Sequence, residues 1–312
     1  MSKQTLIDTI VKGGEYKPTF WLPTPSQAVN EYLNGGGVPS NSFIQIQGKN
    51  ESSFKTTIAL EMLSIAQNMG LTVGLIDAEI AMDNDWARGI GIDTDEWLYT
   101  QPTSGESAWE LCYEMIEEHD AKVVLLDSLD AMTPSVLTES EVGDAAIGSA
   151  ARLHSKGIRK ALPILAKHDA IIIAINHKKV NITQMGARGF SAGGGKAIGF
   201  YSKLILELST GSANSKKESD IVPLNIYIEK NKLGRSYIPI KEHVQQGVGI
   251  VKEYRQLKEL MESGKITKRG AWYSFEDETV AQGTENMIEW LKENYTKNSF
   301  KRTDKSMAQR KL

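Results

Sequence analysis

Gly48-Lys49-Asn50-Glu51-Ser52-Ser53-Phe54-Lys55-Thr56-Thr57 is the stretch that decides how this chain folds. It follows a β-like run, Phe43-Ile44-Gln45-Ile46-Gln47, and opens a helix-like one, Ile58-Ala59-Leu60-Glu61-Met62-Leu63. Strand, polar loop and helix in that order make a phosphate-binding loop, whose backbone N–H groups and helix N-terminus face a polyphosphate. On this reading Gly48, Glu51, Ser52, Ser53, Lys55, Thr56 and Thr57 hold a nucleoside triphosphate. Lys55 neutralises the terminal oxygens, and Thr56 offers its hydroxyl to Mg²⁺. The loop is irregular. Phe54 stands where a second glycine is usual, and Gly48 lies seven residues before Lys55, one more than the common spacing. Either the loop carries one extra residue, or Lys49 occupies the first glycine's place. A bulky residue at position 54 also requires a backbone that avoids positive φ.

Downstream, apolar runs alternate with helix-like stretches. Residues 71–77, 122–127 and 170–176 read as buried strands, and 108–118 and 148–168 as helices, the second bent by Pro163. Such alternation predicts an α/β fold, a mostly parallel sheet covered by helices on both faces. Three later strands, 204–208, 225–230 and 237–240, follow without helices between them and are expected to extend the sheet antiparallel. Residues 1–30, with a short helix over 3–11, read as an arm that packs on a neighbouring subunit. Residues 31–247 form the core, 248–296 a small α/β unit, and 297–312 a basic tail with six Lys or Arg against one Asp.

With 312 residues, 40% hydrophobic and 24% charged, the chain can bury one sizeable core and a smaller second one. A formal charge of −3 gives no global signal for nucleic acid, so any such surface is local. The lone Cys112 excludes an internal disulfide framework and fits a reducing cytoplasm. No apolar run is long enough to span a membrane, and Met1-Ser2-Lys3-Gln4-Thr5 has no signal-peptide character. A soluble, cytoplasmic protein is expected.

In parallel α/β sheets the chemistry sits at the C-terminal strand ends. Asp127 ends one strand, beside Ser128, where a carboxylate can hold a Mg²⁺-bound water next to the Thr56 hydroxyl. Asp77-Ala78-Glu79 ends another, and Glu79 can orient and deprotonate an attacking water. Asn176-His177 ends a third, where a hydrogen-bonding side chain can sense a terminal phosphate. Any one of these is ordinarily a solvated strand end; three in register with a phosphate loop point to a site.

Over residues 26–294 the chain resembles the RecA family of recombinases. The segments that carry the resemblance are Glu51-Ser52-Ser53-Phe54-Lys55-Thr56-Thr57, Ile76-Asp77-Ala78-Glu79, Asp127-Ser128, Glu141-Val142-Gly143-Asp144 and Ala150-Ala151-Arg152. They continue with Ile175-Asn176-His177, Gly193-Gly194-Gly195, Lys230-Asn231-Lys232 and Gly270-Ala271-Trp272-Tyr273-Ser274. Phe54, His177 and the short N-terminus are similar to phage-encoded, UvsX-like members, acting in a bacterial or phage-infected cytoplasm. The basic tail departs from the acidic one of bacterial members.

The resemblance implies a RecA-like ATPase core with ATP and Mg²⁺ as cofactors. Glu79 matches the catalytic glutamate, and Lys55, Thr56 and Asp127 the nucleotide and metal ligands. Asp83 and Trp86 match the adenine-contacting positions. His177 falls where the family usually has a glutamine linking γ-phosphate to the DNA loop, and Lys230 and Lys232 match a lysine pair that reaches the ATP of an adjacent subunit. Two loops are implied to bind single-stranded DNA. The first ends in Ile147-Gly148 and leads into a helix carrying Arg152, Ser155 and Arg159. The second is a long structureless loop with Lys178, Lys179, Ile182, Arg188, Gly194 and Gly195, and with Lys196 just beyond. Ile147 and Ile182 would wedge between base triplets while basic groups and N–H groups bind phosphates.

The expected protein is therefore an ATP-dependent homologous recombinase. It forms helical filaments on single-stranded DNA, pairs it with homologous duplex, and is a candidate for single-strand-binding and loader partners, without a membrane. Two other classes stay open: a filament-forming single-strand binder with impaired hydrolysis, and a helicase-type motor on the same core.

Overall fold

The computed structural model describes residues 17–48, 52–138, 148–182, 188–192, 195–210 and 220–294. In chain order the first elements are β1 (Trp21–Leu22), α1 (Gln27–Asn30), β2 (Val38–Pro39), β3 (Ser42–Gly48), α2 (Lys55–Asn68) and β4 (Val73–Asp77). Next come α3 (Asn84–Ile90), β5 (Leu98–Thr100), α4 (Gly105–Glu117), β6 (Val123–Asp127), α5 (Ser135–Thr138), α6 (Ser149–His168), β7 (Ile171–Ile182) and β8 (Arg188–Ala192). Then follow α7 (Lys196–Tyr201), β9 (Leu204–Thr210), β10 (Ile221–Asn231), β11 (Ile238–Gln245) and β12 (Gly249–Ile250). The chain continues through α8 (Glu253–Glu262), β13 (Ile266–Arg269), β14 (Trp272–Phe275), β15 (Glu278–Gln282) and α9 (Thr284–Asn294).

A ten-stranded sheet runs β12-β11-β10-β9-β3-β7-β6-β4-β5, with β8 paired to β7. From β9 to β5 the pairs are parallel; β10, β11 and β12 add antiparallel ladders at one edge. The uninterrupted apolar strands are explained by burial on both faces. Ile44, Ile46, Leu75, Leu125, Ile173 and Leu206 face one core with Leu60 and Leu63 of α2. Phe43, Val124, Leu126 and Ile172 face the other, with Trp109, Cys112 and Ile158 of α4 and α6. Each fully buried aliphatic side chain contributes about 1.5–3 kcal/mol. Local signals agree with the packing: a reciprocal Ser104–Ser107 capping box starts α4, and Asp83 caps α3.

Three expectations need correction. The strand after the second glycine-rich segment, β9, pairs parallel with β3, because the six-residue helix α7 precedes it as a crossover. Only β10 and β11, with the short β12, run antiparallel. The segment after His177 is not structureless, since β7 continues to Ile182 and folds back as β8, with Lys179 opposite Ser191 and Ile182 opposite Arg188. Residues 1–16 lie outside the described residues. From Lys17 to Asn30 the supposed arm packs on its own core, with Leu22 and Val29 fully buried and Ser26 donating to Glu242.

Residues 251–291 build a third, separate core from Val251, Leu257, Leu260, Ile266, Tyr273, Met287, Ile288 and Leu291. It fills the space between α8, α9 and the antiparallel sheet β13-β14-β15. Arg255 fastens this unit to the large core through Glu31, and His243 stacks on Tyr254 with ring centroids 3.6 Å apart. The tail at 297–312 lies outside the described residues. Among the described residues no helix is long and apolar enough to cross a membrane.

Candidate functional site

The strand order places β3 beside β7, then β6 and β4, so Gly48, His177, Asp127 and Asp77 all arrive at the C-terminal edge of the sheet. Gly48 is required there. A Cβ on it would lie 2.3 Å from Ser53 Oγ and 2.9 Å from the Leu208 carbonyl oxygen, so the tight approach of the phosphate loop falls on Gly48. Lys49, Asn50 and Glu51 lie outside the described residues.

Phe54 corrects an expectation. It sits at φ 60°, ψ 24°, in the left-handed region. That conformation costs a side chain about 1–2 kcal/mol. Packing of its partly buried ring against the larger core holds it there. Phe54 thus takes the backbone role of the missing glycine. Helix α2 begins at Lys55 without a side-chain cap, leaving its first N–H groups for an anion.

Around this helix start the polar side chains are tightly disposed. Lys55 is buried, and its Nζ donates to Ser53 Oγ at 3.1 Å. Thr56 Oγ1 donates to Asp127 Oδ2 at 2.9 Å. Thr57 is buried and Ser52 exposed. Burial pushes the Asp127 carboxyl up to about 7, nearby Glu79 adding to the rise and the Thr56 hydrogen bond opposing it. An acid so desolvated favours either a proton or a cation beside it. Among the described residues no three His, Cys, Asp or Glu side chains gather as a metal centre. One carboxylate and one hydroxyl suit Mg²⁺, which takes its remaining ligands from phosphate and water.

Glu79 follows β4. Ala78 and Glu79 donate their N–H groups to the Asp127 carbonyl, tying the two strand ends together. Asp77 braces the turn by accepting from the N–H groups of Ala81 and Met82 and from the Tyr99 hydroxyl. Glu79 Oε1 accepts from Ser128 Oγ at 2.6 Å, and His177 Nε2 lies 3.7 Å away. The His177 imidazole holds this carboxyl below its ordinary range, burial opposing and Ser128 assisting. Glu79 is therefore ionised and able to accept a proton. Ser128 went unassigned in the sequence reading, although it follows Asp127 directly.

Trp86 sits on α3 and Asp83 caps it: Asp83 accepts from the Trp86 N–H, and the partly buried indole packs on the core near Gly247. Lys230 is the last residue but one of β10, and Lys232 lies just past its end. Both ammonium groups turn to the end of α7, Lys230 donating to the Gly199 and Phe200 carbonyls and Lys232 to Phe200. Burial, then Lys232, depresses the Lys230 ammonium.

Arg152, Ser155 and Arg159 of α6 converge with Gly195 and Lys196 on one open hollow of about 520 Å³. Lys156 lines it too and was missed, although it sits one residue from Ser155 on the same helix. Lys179, Ile182 and Arg188 lie on the β7–β8 hairpin. Ile147 and Gly194 lie outside the described residues. Lys178 does not join the basic group, because Glu207 and Glu229 pair with it.

A phosphate loop at β3, carboxylates at the ends of β4 and β6 and a basic hollow between α6 and the start of α7 define a nucleotide-binding α/β core. Residues 8–251 match the RecA N-terminal domain and residues 261–298 the RecA C-terminal domain. The chain is 34% identical over 273 residues to Protein RecA of Heliobacterium modesticaldum, covering 87% of this chain and 78% of that protein. It is 35% identical to Protein RecA of Mannheimia haemolytica over 276 residues, 87% of this chain and 74% of that one. Protein RecA of Geobacter sulfurreducens is 34% identical over 274 residues, 87% of this chain and 80% of that one. The chain belongs to the RecA family of recombinases.

Proposed function

We propose that this recombinase is a DNA-dependent ATPase that assembles as a helical filament on single-stranded DNA and pairs it with homologous duplex. The observation that carries the reading is the junction of Thr56, Asp127, Ser128 and Glu79 at the start of α2. Ser53, Lys55, Thr56 and Thr57 would hold the triphosphate, Thr56 and Asp127 the Mg²⁺, and Asp83 and Trp86 the adenine. Bound Mg²⁺ supplies charge neutralisation on the phosphates. Glu79, ionised and fixed by Ser128, orients water and takes its proton. His177 lies close enough to Glu79 to link the nucleotide to the hairpin that follows it.

Lys230 and Lys232 share one face and would meet the nucleotide of the next protomer. A head-to-tail contact of that kind generates an open filament. The hollow of Arg152, Ser155, Arg159 and Lys196 would bind DNA phosphates with little regard to sequence. The likeness of Phe54 and His177 to phage-encoded members belongs to this same reading, as does a cytoplasmic setting. A Glu79 carboxylate held by Ser128 beside Asp127 favours a hydrolysing enzyme over a passive binder.

The test is ATP turnover with and without single-stranded DNA, with electron microscopy of the same samples. Strong stimulation together with helical filaments is expected. Filaments without turnover would replace the reading by a non-hydrolysing binder, and unwinding activity by a motor.

A further inference from the structure

Lys178 stands one residue past His177 on β7, and neighbours on a strand point to opposite faces of the sheet. His177 approaches Glu79 on one side. On the other, Lys178 Nζ donates to Glu207 Oε2 at 2.8 Å and to Glu229 Oε2 at 2.7 Å. Gln47, the residue before Gly48, donates to the same Glu229 carboxylate at 2.5 Å. The Lys178 side chain is 12% exposed and that of Glu207 16%. Burial acts to depress this ammonium, yet the two carboxylates raise it. Charges taken out of water seldom repay their desolvation as stability. Their placement at the sheet's working edge therefore calls for another account.

Glu229 is the extra residue of a bulge in β10. The register with β9 runs Tyr227↔Glu207 and Ile228↔Leu206, then resumes at Lys230↔Ile205. A bulge lets two successive residues oppose one partner. Here Glu229 meets Lys178 while Lys230, next to it, reaches the end of α7 on the same side. The base of the hairpin and the strand end carrying Lys230 and Lys232 thus share one ion-pair cluster.

We propose that Lys178 is a positioning residue, whose clamp on Glu207 and Glu229 ties the root of the β7–β8 hairpin to the strand delivering Lys230 and Lys232. It couples nucleotide in the shared site to DNA on the hairpin. The inference rests on the ATPase and DNA-binding reading above.

The experiment compares wild type, Lys178→Met, Lys178→Arg and Glu229→Gln as full chains. It reads ATP turnover with and without single-stranded DNA, and anisotropy of a fluorescent single-stranded oligonucleotide with and without a non-hydrolysable ATP analogue. In Lys178→Met the DNA stimulation of turnover falls about tenfold, and the nucleotide-dependent tightening on DNA falls with it, since coupling of binding is reciprocal. DNA-free turnover and nucleotide-free DNA affinity stay as in wild type, and Lys178→Arg restores most of the coupling. A thermally stable Lys178→Met with wild-type coupling overturns the inference. So does a Lys178→Met whose DNA-free turnover falls as much as its stimulated turnover. Should Lys178→Met fail to fold, Glu229→Gln, nearly isosteric, carries the same two outcomes. A wild type that responds to neither ligand would sink the ATPase and DNA reading itself, a result distinct from loss of coupling in a variant.

Discussion

Thr56 and Asp127, 71 residues apart in the chain, meet through a 2.9 Å hydrogen bond that joins the start of α2 to the end of β6. Burial, with Glu79 nearby, destabilises Asp127 as an anion and pushes its carboxyl up to about 7, while the bond from Thr56 opposes the rise. Asp127→Asn keeps the shape and removes that cost. At pH 8 the variant is expected to be more stable than wild type by about 1–3 kcal/mol. Its Mg²⁺-dependent nucleotide binding should collapse. Urea unfolding and titration of a fluorescent ATP analogue with and without Mg²⁺ read the two effects. A less stable variant would contradict the burial argument.

Glu79→Gln preserves the hydrogen bond from Ser128 and loses the proton acceptor. Turnover should fall about 10²–10⁴-fold, with nucleotide-dependent filaments intact under the microscope. Wild-type turnover in this variant would remove Glu79 from its assigned role.

Phe54 at φ 60° invites a paired substitution. Phe54→Ala loses ring packing and keeps the backbone cost; Phe54→Gly loses the same packing and relieves the cost. The glycine variant should be the more stable of the two by about 1 kcal/mol, measured by thermal or urea unfolding. The reverse order would show that residue 54 is not left-handed in solution.

Glu61 of α2 accepts from the Ile250 N–H at 3.0 Å. Burial raises its carboxyl from 4.5 to about 7, with the Ile250 bond and Lys252 opposing and Glu242 adding. Between those values the folded state holds a proton that the unfolded state lacks. The contribution is complete below pH 4.5 and is lost as pH rises through about 7. Stability of wild type relative to Glu61→Gln should therefore decline across pH 5 to 8, by about 3 kcal/mol at most. A difference that does not change with pH would contradict the assignment.

Much of this arrangement could be read from the sequence because its period changes sharply. Apolar β3 gives way to a polar loop and then to a helix at Lys55, and the acids at 77, 79 and 127 fall just where strand patterns stop. What escaped was decided by contacts distant in sequence. The left-handed backbone at Phe54 is held by core packing, which no local pattern reports. In the β7–β8 hairpin the apolar alternation is limited to Val180 and Ile182 on one strand and Phe190 and Ala192 on the other. That pattern is too short to reveal strands amid polar and glycine residues. Helix α7 spans only six residues, too few for a helical period, and its omission misled the direction of β9. Lys178 looked like one more base in a basic loop, because its partners Glu207 and Glu229 lie 29 and 51 residues away.

Cys112 is the only cysteine in the chain, and α4 holds it fully buried, with its thiol pushed far above the ordinary range. Alkylating reagents attack thiolates, so the native protein is silent to them until α4 separates from the sheet. A cysteine introduced at an exposed position would consequently carry a fluorophore at one known point without first removing the natural one. The untouched Cys112 would meanwhile report, by the rate at which it becomes alkylated, how often the interior of the molecule opens.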